Sequence, residues 1–205
     1  LNSCHDFFEI KWGRNLTAAF RHYQDKGFLE IMTCPATHGF LPLFATENGI
    51  RAQLRTAKAN YRKHFGKDPR GIWPSECAYA PGLDRLYRDE GLEYFFIDTH
   101  GIGFGKPRPR YGPYRPIFTP HGVAAFGRDP ESSKQVWSNK EGYPGDFRYR
   151  EFYRDLGYDG NYSYIRPYLH KDGVRRNLGF KYHRITGQVG LHEKQFYNPR
   201  EAERI

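Results

Sequence analysis

Four ionisable side chains stand out in this 205-residue sequence for where they fall: His38 in "CPATHGF", Glu76 in "GIWPSECAYAPGL", and Asp98 with His100 in "FFIDTHG". A carboxylate between Trp73 and Tyr79 has the setting of a nucleophile or an acid/base, because aromatic walls bind a sugar face and modulate the local pKa. The plain alternative is a solvated loop glutamate, or a charge at the N-terminus of the helix that "APGL" opens. His38 suits a hydrogen bond to a substrate hydroxyl or a structural role after a strand. Asp98 and His100 alternate along "DTH", so an extended chain would turn both toward one pocket; Asp98 is equally suited to bonding the neighbouring backbone.

Other chemistries find less support. The histidines and cysteines show neither HExxH nor CxxC spacing, so no metal is expected, and carboxylate chemistry needs no cofactor. "HGIGFG" does not match GxGxxG and precedes no evident helix, and a GxSxG elbow is absent. "KPRPRYGPYRP" pairs cations with rings, the composition of a single-stranded nucleic-acid contact or of a rigid surface lid.

The elements that position these groups follow from periodicity. Trp12, Leu16, Ala19, Phe20 and Tyr23 recur at helical spacing before Gly27, and Ile50, Leu54, Ala57, Tyr61 and Phe65 mark the face of a second helix closed by "GKDP". "GLDRLYRDEG" reads as a third helix. Between them, "FLEIMTC" (28–34), "GIW" (71–73) and "EYFFID" (93–98) read as short strands, with "VAAFG" (123–127) a fourth and "VRRNLGFKYHRIT" a last extended pair. Strands alternating with helices imply crossovers and a largely parallel sheet, open or closed into a barrel, with ligands at the strands' C-terminal ends. His38, Glu76 and Asp98 with His100 each follow such an end. Residues 101–120, rich in Gly, Pro, rings and cations, read as a long ordered loop or lid rather than a helix, and "NPREAERI" as a new helix.

Length fits one compact domain or part of a larger one. Lysine and arginine outnumber acids 32 to 23, for a formal charge of +9, but the charges are scattered and acids interrupt them in "RDPE" and "YRDLGYD". That pattern argues against nucleic acid as the partner. Three distant cysteines suit a reducing, cytoplasmic compartment, and no apolar run reaches membrane-span length.

The blocks "TCPATHGFLPLF", "GIWPSECAYAPGLDRLYRDEGLEYFFIDTHG", "GVAAFGRDPESSKQVWS", "GYPGDFRYREFYRDLGYD" and "RPYLHKDGVRRNLGFKYHRITG" closely resemble, in order and over essentially the whole chain, the family 57 glycoside hydrolases of the 1,4-alpha-glucan branching group. The resemblance implies an α/β fold, a partial distorted (β/α)7 barrel with long loop or lid insertions. Such an enzyme cleaves an α-1,4 glucan, holds the donor covalently and transfers it to a 6-hydroxyl. By the matching blocks Glu76 is the nucleophile and His38 lines the adjacent subsite. Trp73, Tyr79 and Trp137 are stacking candidates, and Asp98, His100, Arg128 and Asp129 candidate substrate contacts. Pro74 and Ser75 stand where the family's block has Leu-Pro. The family's first barrel strand and its acid/base aspartate block have no counterpart in these 205 residues, so residues 1–205 are expected to be an internal fragment of the catalytic domain, inactive by itself. Alternatives are another α-glucan hydrolase or glucanotransferase of the same family, or a binding module for glucan or single-stranded nucleic acid.

Overall fold

A computed structural model describes residues 2–204. The chain divides into two compact units, 1–129 and 130–205.

The first unit opens on a short helix, α1 (Asn2–Asp6), and one wider turn, Phe7–Lys11. Helix α2 (Leu16–Asp25) starts four residues later than Trp12, because the Asn15 side chain accepts the Ala18 N–H at 3.0 Å and caps it there. Helix α3 (Glu47–Phe65) is capped by Thr46, whose hydroxyl accepts the Gly49 N–H, and ends at Gly66 in the left-handed conformation. Ile50, Leu54, Ala57 and Tyr61 are its buried stripe, as their spacing requires. Strand β1 (Gly71–Ile72), helix α4 (Leu83–Asp89), strand β2 (Tyr94–Ile97) and helix α5 (Thr99–Gly103) follow, then β3 (Ile117–Phe118) and β4 (Ala124–Gly127).

The sheet order is β1-β2-β4-β3, with β1, β2 and β4 parallel and β3 antiparallel to β4. It is therefore a mixed sheet, parallel where helices cross over it. Ile72, Phe95, Val123 and Ala125 bury against Leu54, Leu83, Leu86 and Tyr87 of α3 and α4. Gly71 is required by a close approach: a Cβ there would fall inside the Tyr94 ring on the neighbouring strand.

Two expectations are corrected here. "FLEIMTC" forms a single parallel bridge, Thr33 with Ile72, rather than a strand. Thr33 donates to the Gly71 carbonyl and accepts from Trp73 N, but it pairs on one side only, and Pro35 has no N–H with which to extend the ladder. Residues 101–120 begin inside a helix, α5, because Asp98 caps it, so the expected loop starts only after Gly103.

The second unit opens on α6 (Pro130–Trp137), a helix not anticipated from "RDPESSKQVW", and carries the short helices α7 (Leu156–Asp159), α8 (Tyr162–Ile165) and α9 (Pro199–Ala202). The extended pair expected within 174–186 does not form: His183 and Arg184 instead bridge outward to single antiparallel partners, Phe196 and Arg150. Buried acids organise these loops in place of regular structure. Asp155 accepts the N–H groups of Gly157, Leu178 and Gly179 and the Lys181 ammonium at 3.1 Å. Burial pushes its carboxyl up, but the hydrogen bonds and Lys181 outweigh this and hold it below the ordinary carboxylate value.

Candidate active site

The rim forms where the first unit's parallel elements end. Past Thr33 the chain turns through Pro35–Phe40, pinned by Gln53 of α3, whose side-chain oxygen accepts both the backbone N–H and the hydroxyl of Thr37. Past β1, Pro74 introduces a tight turn, Ser75–Cys77. These two turns bring His38 and Glu76 together: His38 Nε2 lies 3.1 Å from Glu76 Oε1. A buried hydroxyl ties them a second time, because Ser75 Oγ donates to the Gly39 carbonyl at 2.9 Å.

The backbone at this junction is under strain. Of the five non-glycine residues with positive φ among the described residues, three are here: His38 (φ 55°), Glu76 (φ 57°) and Cys77 (φ 55°). Each costs roughly 1–3 kcal/mol, and such strain persists where the surroundings over-determine it, a pattern that concentrates at functional sites. The left-handed turn presents the Glu76 carboxylate outward, 76% exposed, on an open rim. Trp73 is half-buried beside it in sequence, its ring 6.0 Å from that of Phe96.

Beneath the turn lies the Cys77 thiol. Burial pushes it up, while the Arg128 guanidinium, hydrogen-bonded to it, pulls it down, and Asp98 and Glu76 are near enough to add to the rise. Arg128 is set by the backbone at the end of β4: its N–H donates to Ile97 O at 3.0 Å, and its carbonyl accepts the Thr99 hydroxyl. Asp129 follows directly, half-buried.

Asp98 and His100 do come close, with His100 Nδ1 3.5 Å from Asp98 Oδ2, but not by extended alternation. Asp98 caps α5 by accepting the Thr99 N–H at 2.9 Å, and His100 sits in that helix's first turn, exposed. Tyr79 is a correction. Its ring stacks on Phe95 at 5.2 Å and its hydroxyl donates to the buried Asp84 at 3.1 Å, so it belongs to the core and not to a sugar-binding wall. Burial and Asp84 together push its phenol up to about 12. Trp137 closes α6 in the second unit and is 77% exposed.

Sequence reasoning missed Ser75, Gly39 and Cys77. Only Ser75 left a trace, as the departure from the family's Leu-Pro, because left-handed backbone at residues with side chains has no compositional signal. Among the described residues no group of three His, Cys, Asp or Glu is placed to hold a metal ion, and no helix is long and apolar enough to cross a membrane.

The first unit is an α/β unit with a mixed sheet, and His38, Glu76, Asp98 and Arg128 each follow the end of one of its parallel elements, the rim at which open α/β sheets carry their ligands. More specifically, the chain belongs to glycosyl hydrolase family 57, whose model matches residues 1–198. A 1,4-alpha-glucan branching enzyme of Thermococcus kodakarensis is 36% identical over 219 residues, covering 93% of this chain and 30% of that protein. Among solved structures, the alpha-amylase AmyC of Thermotoga maritima is 49% identical with a TM-score of 0.87, over 96% of this chain and 38% of that one. The branching enzyme of Pyrococcus horikoshii is 36% identical with a TM-score of 0.80, over 99% and 36%. The chain thus spans about a third of the length of the relatives it matches.

Proposed function

We propose that these residues form part of the catalytic barrel of a retaining α-glucan-active enzyme, a 1,4-alpha-glucan branching enzyme, with Glu76 as nucleophile. The observation that carries this reading is the paired strain at His38 and Glu76, which sets an exposed carboxylate within hydrogen-bond distance of an imidazole at a strand-end rim. Glu76 attacks the anomeric carbon of an α-1,4-linked donor, and the C–O bond to the departing chain breaks. The departing oxygen takes a proton from a second carboxylic acid, leaving a β-linked glycosyl ester on Glu76. A 6-hydroxyl of an acceptor chain then displaces Glu76, returning its proton to the second carboxylate. Retaining pairs stand about 5–5.5 Å apart. The resemblance to family 57 implies that the acid is an aspartate of a block without a counterpart among these residues, so here we assign only the attacking carboxylate. His38 orients the attacking oxygen, and Trp73, Arg128, Asp129 and His100 are assigned to contacts with the glucan. Residues 104–116, ahead of β3, serve as a lid over the donor.

The 49% identity to an alpha-amylase favours a second reading, in which water replaces the acceptor hydroxyl. Product linkage separates the two. Incubated with amylose, the full-length protein should generate α-1,6 linkages, visible as a separate anomeric signal by proton NMR, and Glu76→Gln should abolish them with the fold intact. Shortened α-1,4 chains without new branches would establish hydrolysis instead, and unchanged branching in Glu76→Gln would overturn the assignment altogether.

A further inference from the structure

Past the sheet, the segments that carry His38 and Glu76 can no longer pair through their backbones. The last ladder bonds between them are those of Thr33, which donates to the Gly71 carbonyl at 3.0 Å and accepts from Trp73 N at 2.8 Å. The next step of a parallel ladder would have residue 35 donate to the Trp73 carbonyl and accept from Ser75 N. Pro35 has no N–H to give, and its carbonyl accepts the His38 N–H at 2.8 Å instead. Among the described residues, no backbone hydrogen bond then joins the turn of His38 to the turn of Glu76.

Two side-chain hydrogen bonds cross between the turns in its place. The one between His38 and Glu76 is open to water, with 52% and 76% of the two side chains exposed, and a contact so exposed is too weak to hold two strained turns. The other is buried. Ser75 is 2% exposed, and its Oγ donates to the Gly39 carbonyl at 2.9 Å. The acceptor is fixed as well: Gly39 lies so close to Phe44 that a Cβ would come within 2.8 Å of its ring, and Phe44 packs against the core.

The position of this bond gives it a function. Gly39 directly follows His38 and Ser75 directly precedes Glu76, so the bond joins the neighbours of two residues in left-handed backbone. Such strain persists only where the surroundings over-determine it. Without the hydroxyl, the imidazole and the carboxylate would each move with its own turn.

We infer that Ser75 is a positioning residue for the glycosyl transfer assigned to Glu76. Its hydroxyl stands in for the ladder bond that Pro35 cannot make, and through it His38 is held against the attacking oxygen. This role rests on the reading of Glu76 as nucleophile given above. Being buried, Ser75 touches no glucan, so it acts on the rate of the chemical step and not on substrate binding.

The test is a double-mutant cycle of Ser75→Ala and His38→Ala in the full-length protein. It is read as the rate at which a 5-fluoro-α-glucosyl fluoride glycosylates Glu76, and as kcat and KM for amylose. Ser75→Ala alone should slow glycosylation and kcat about tenfold, the scale of a small misplacement of a reacting group, and leave KM within about twofold. Ser75→Cys, which fills nearly the same space with a poor donor, should show a similar loss with Tm unchanged. In the His38→Ala protein, Ser75→Ala should slow glycosylation by less than about twofold, because no imidazole is left to place. An equal loss in both backgrounds would overturn the inference, since the serine would then serve the fold in general. So would a wild-type rate in Ser75→Ala or Ser75→Cys, or a loss confined to KM. An adduct on another carboxylate in the wild-type protein would instead overturn the nucleophile reading, and this role with it; an adduct on Glu76 that forms as fast in Ser75→Ala would remove this role alone.

Discussion

At the scale of single residues, the junction between two turns is the most informative feature. Glu76 and His38 were conspicuous in the sequence as ionisable groups past strand ends, and the structure puts them 3.1 Å apart. What sequence could not reveal is how they are held: by left-handed backbone at three residues with side chains and by the buried Ser75 hydroxyl reaching the Gly39 carbonyl. Neither device has a composition or a period. Tyr79 shows the reverse error, since a ring three residues from a carboxylate looks like a sugar platform until its face is found on Phe95. Tyr79→Phe should therefore leave kcat and KM for glucan within about twofold of wild type. It should lower unfolding stability by about 2 kcal/mol, the loss of one hydrogen bond to a buried carboxylate, measured by chemical denaturation. A large rise in KM without loss of stability would restore Tyr79 to the glucan site.

At the scale of elements, α3, α4, β1, β2 and β4 were legible because each carries a clean period bounded by Gly or Pro, and they make the core. The bridge at Thr33 was over-read as a strand, since an apolar run cannot say whether it has a neighbour on both sides. The second unit was illegible because buried acids hold its loops, and hydrogen bonds to distant backbone leave no local pattern. The first unit uses the same device once, to fasten α4 to the approach to β4. Asp84, 1% exposed, meets the Tyr79 hydroxyl, the Gly82 N–H and both His121 Nδ1 and the His121 N–H. Burial alone would push this carboxyl up, but the hydrogen bonds from His121, Thr119 and Tyr79 prevail and bring it down to about 2. A carboxyl that binds its proton less tightly folded than unfolded stabilises the fold above its unfolded pKa, and loses that contribution as pH falls through the folded value. The account predicts that about 2 kcal/mol of stability is present at neutral pH and disappears between roughly pH 4 and pH 2. Asp84→Asn should flatten that part of the acid-unfolding profile, and a variant as acid-sensitive as wild type would place the transition elsewhere.

At the scale of the whole molecule, a basic, ring-rich composition is compatible with several partners, and it is the match of residues 1–198 to the glycosyl hydrolase family 57 model that gives the family. Length and spacing could not reveal that the 205 residues divide into two compact units, because no linker composition marks the step at Asp129. The chain also spans only about a third of its relatives, so it is in the full-length protein that Glu76 is expected to become covalently glycosylated during turnover. The most direct measurement is to incubate that protein with a 5-fluoro-α-glucosyl fluoride, which forms the glycosyl ester quickly and releases it slowly, and to map the modified peptide by mass spectrometry. One added fluoroglucosyl group is expected on Glu76, in the peptide that contains "GIWPSECAYAPGL", and none in Glu76→Gln. An adduct on another carboxylate, or turnover of the reagent by the Glu76→Gln protein at the wild-type rate, would contradict it.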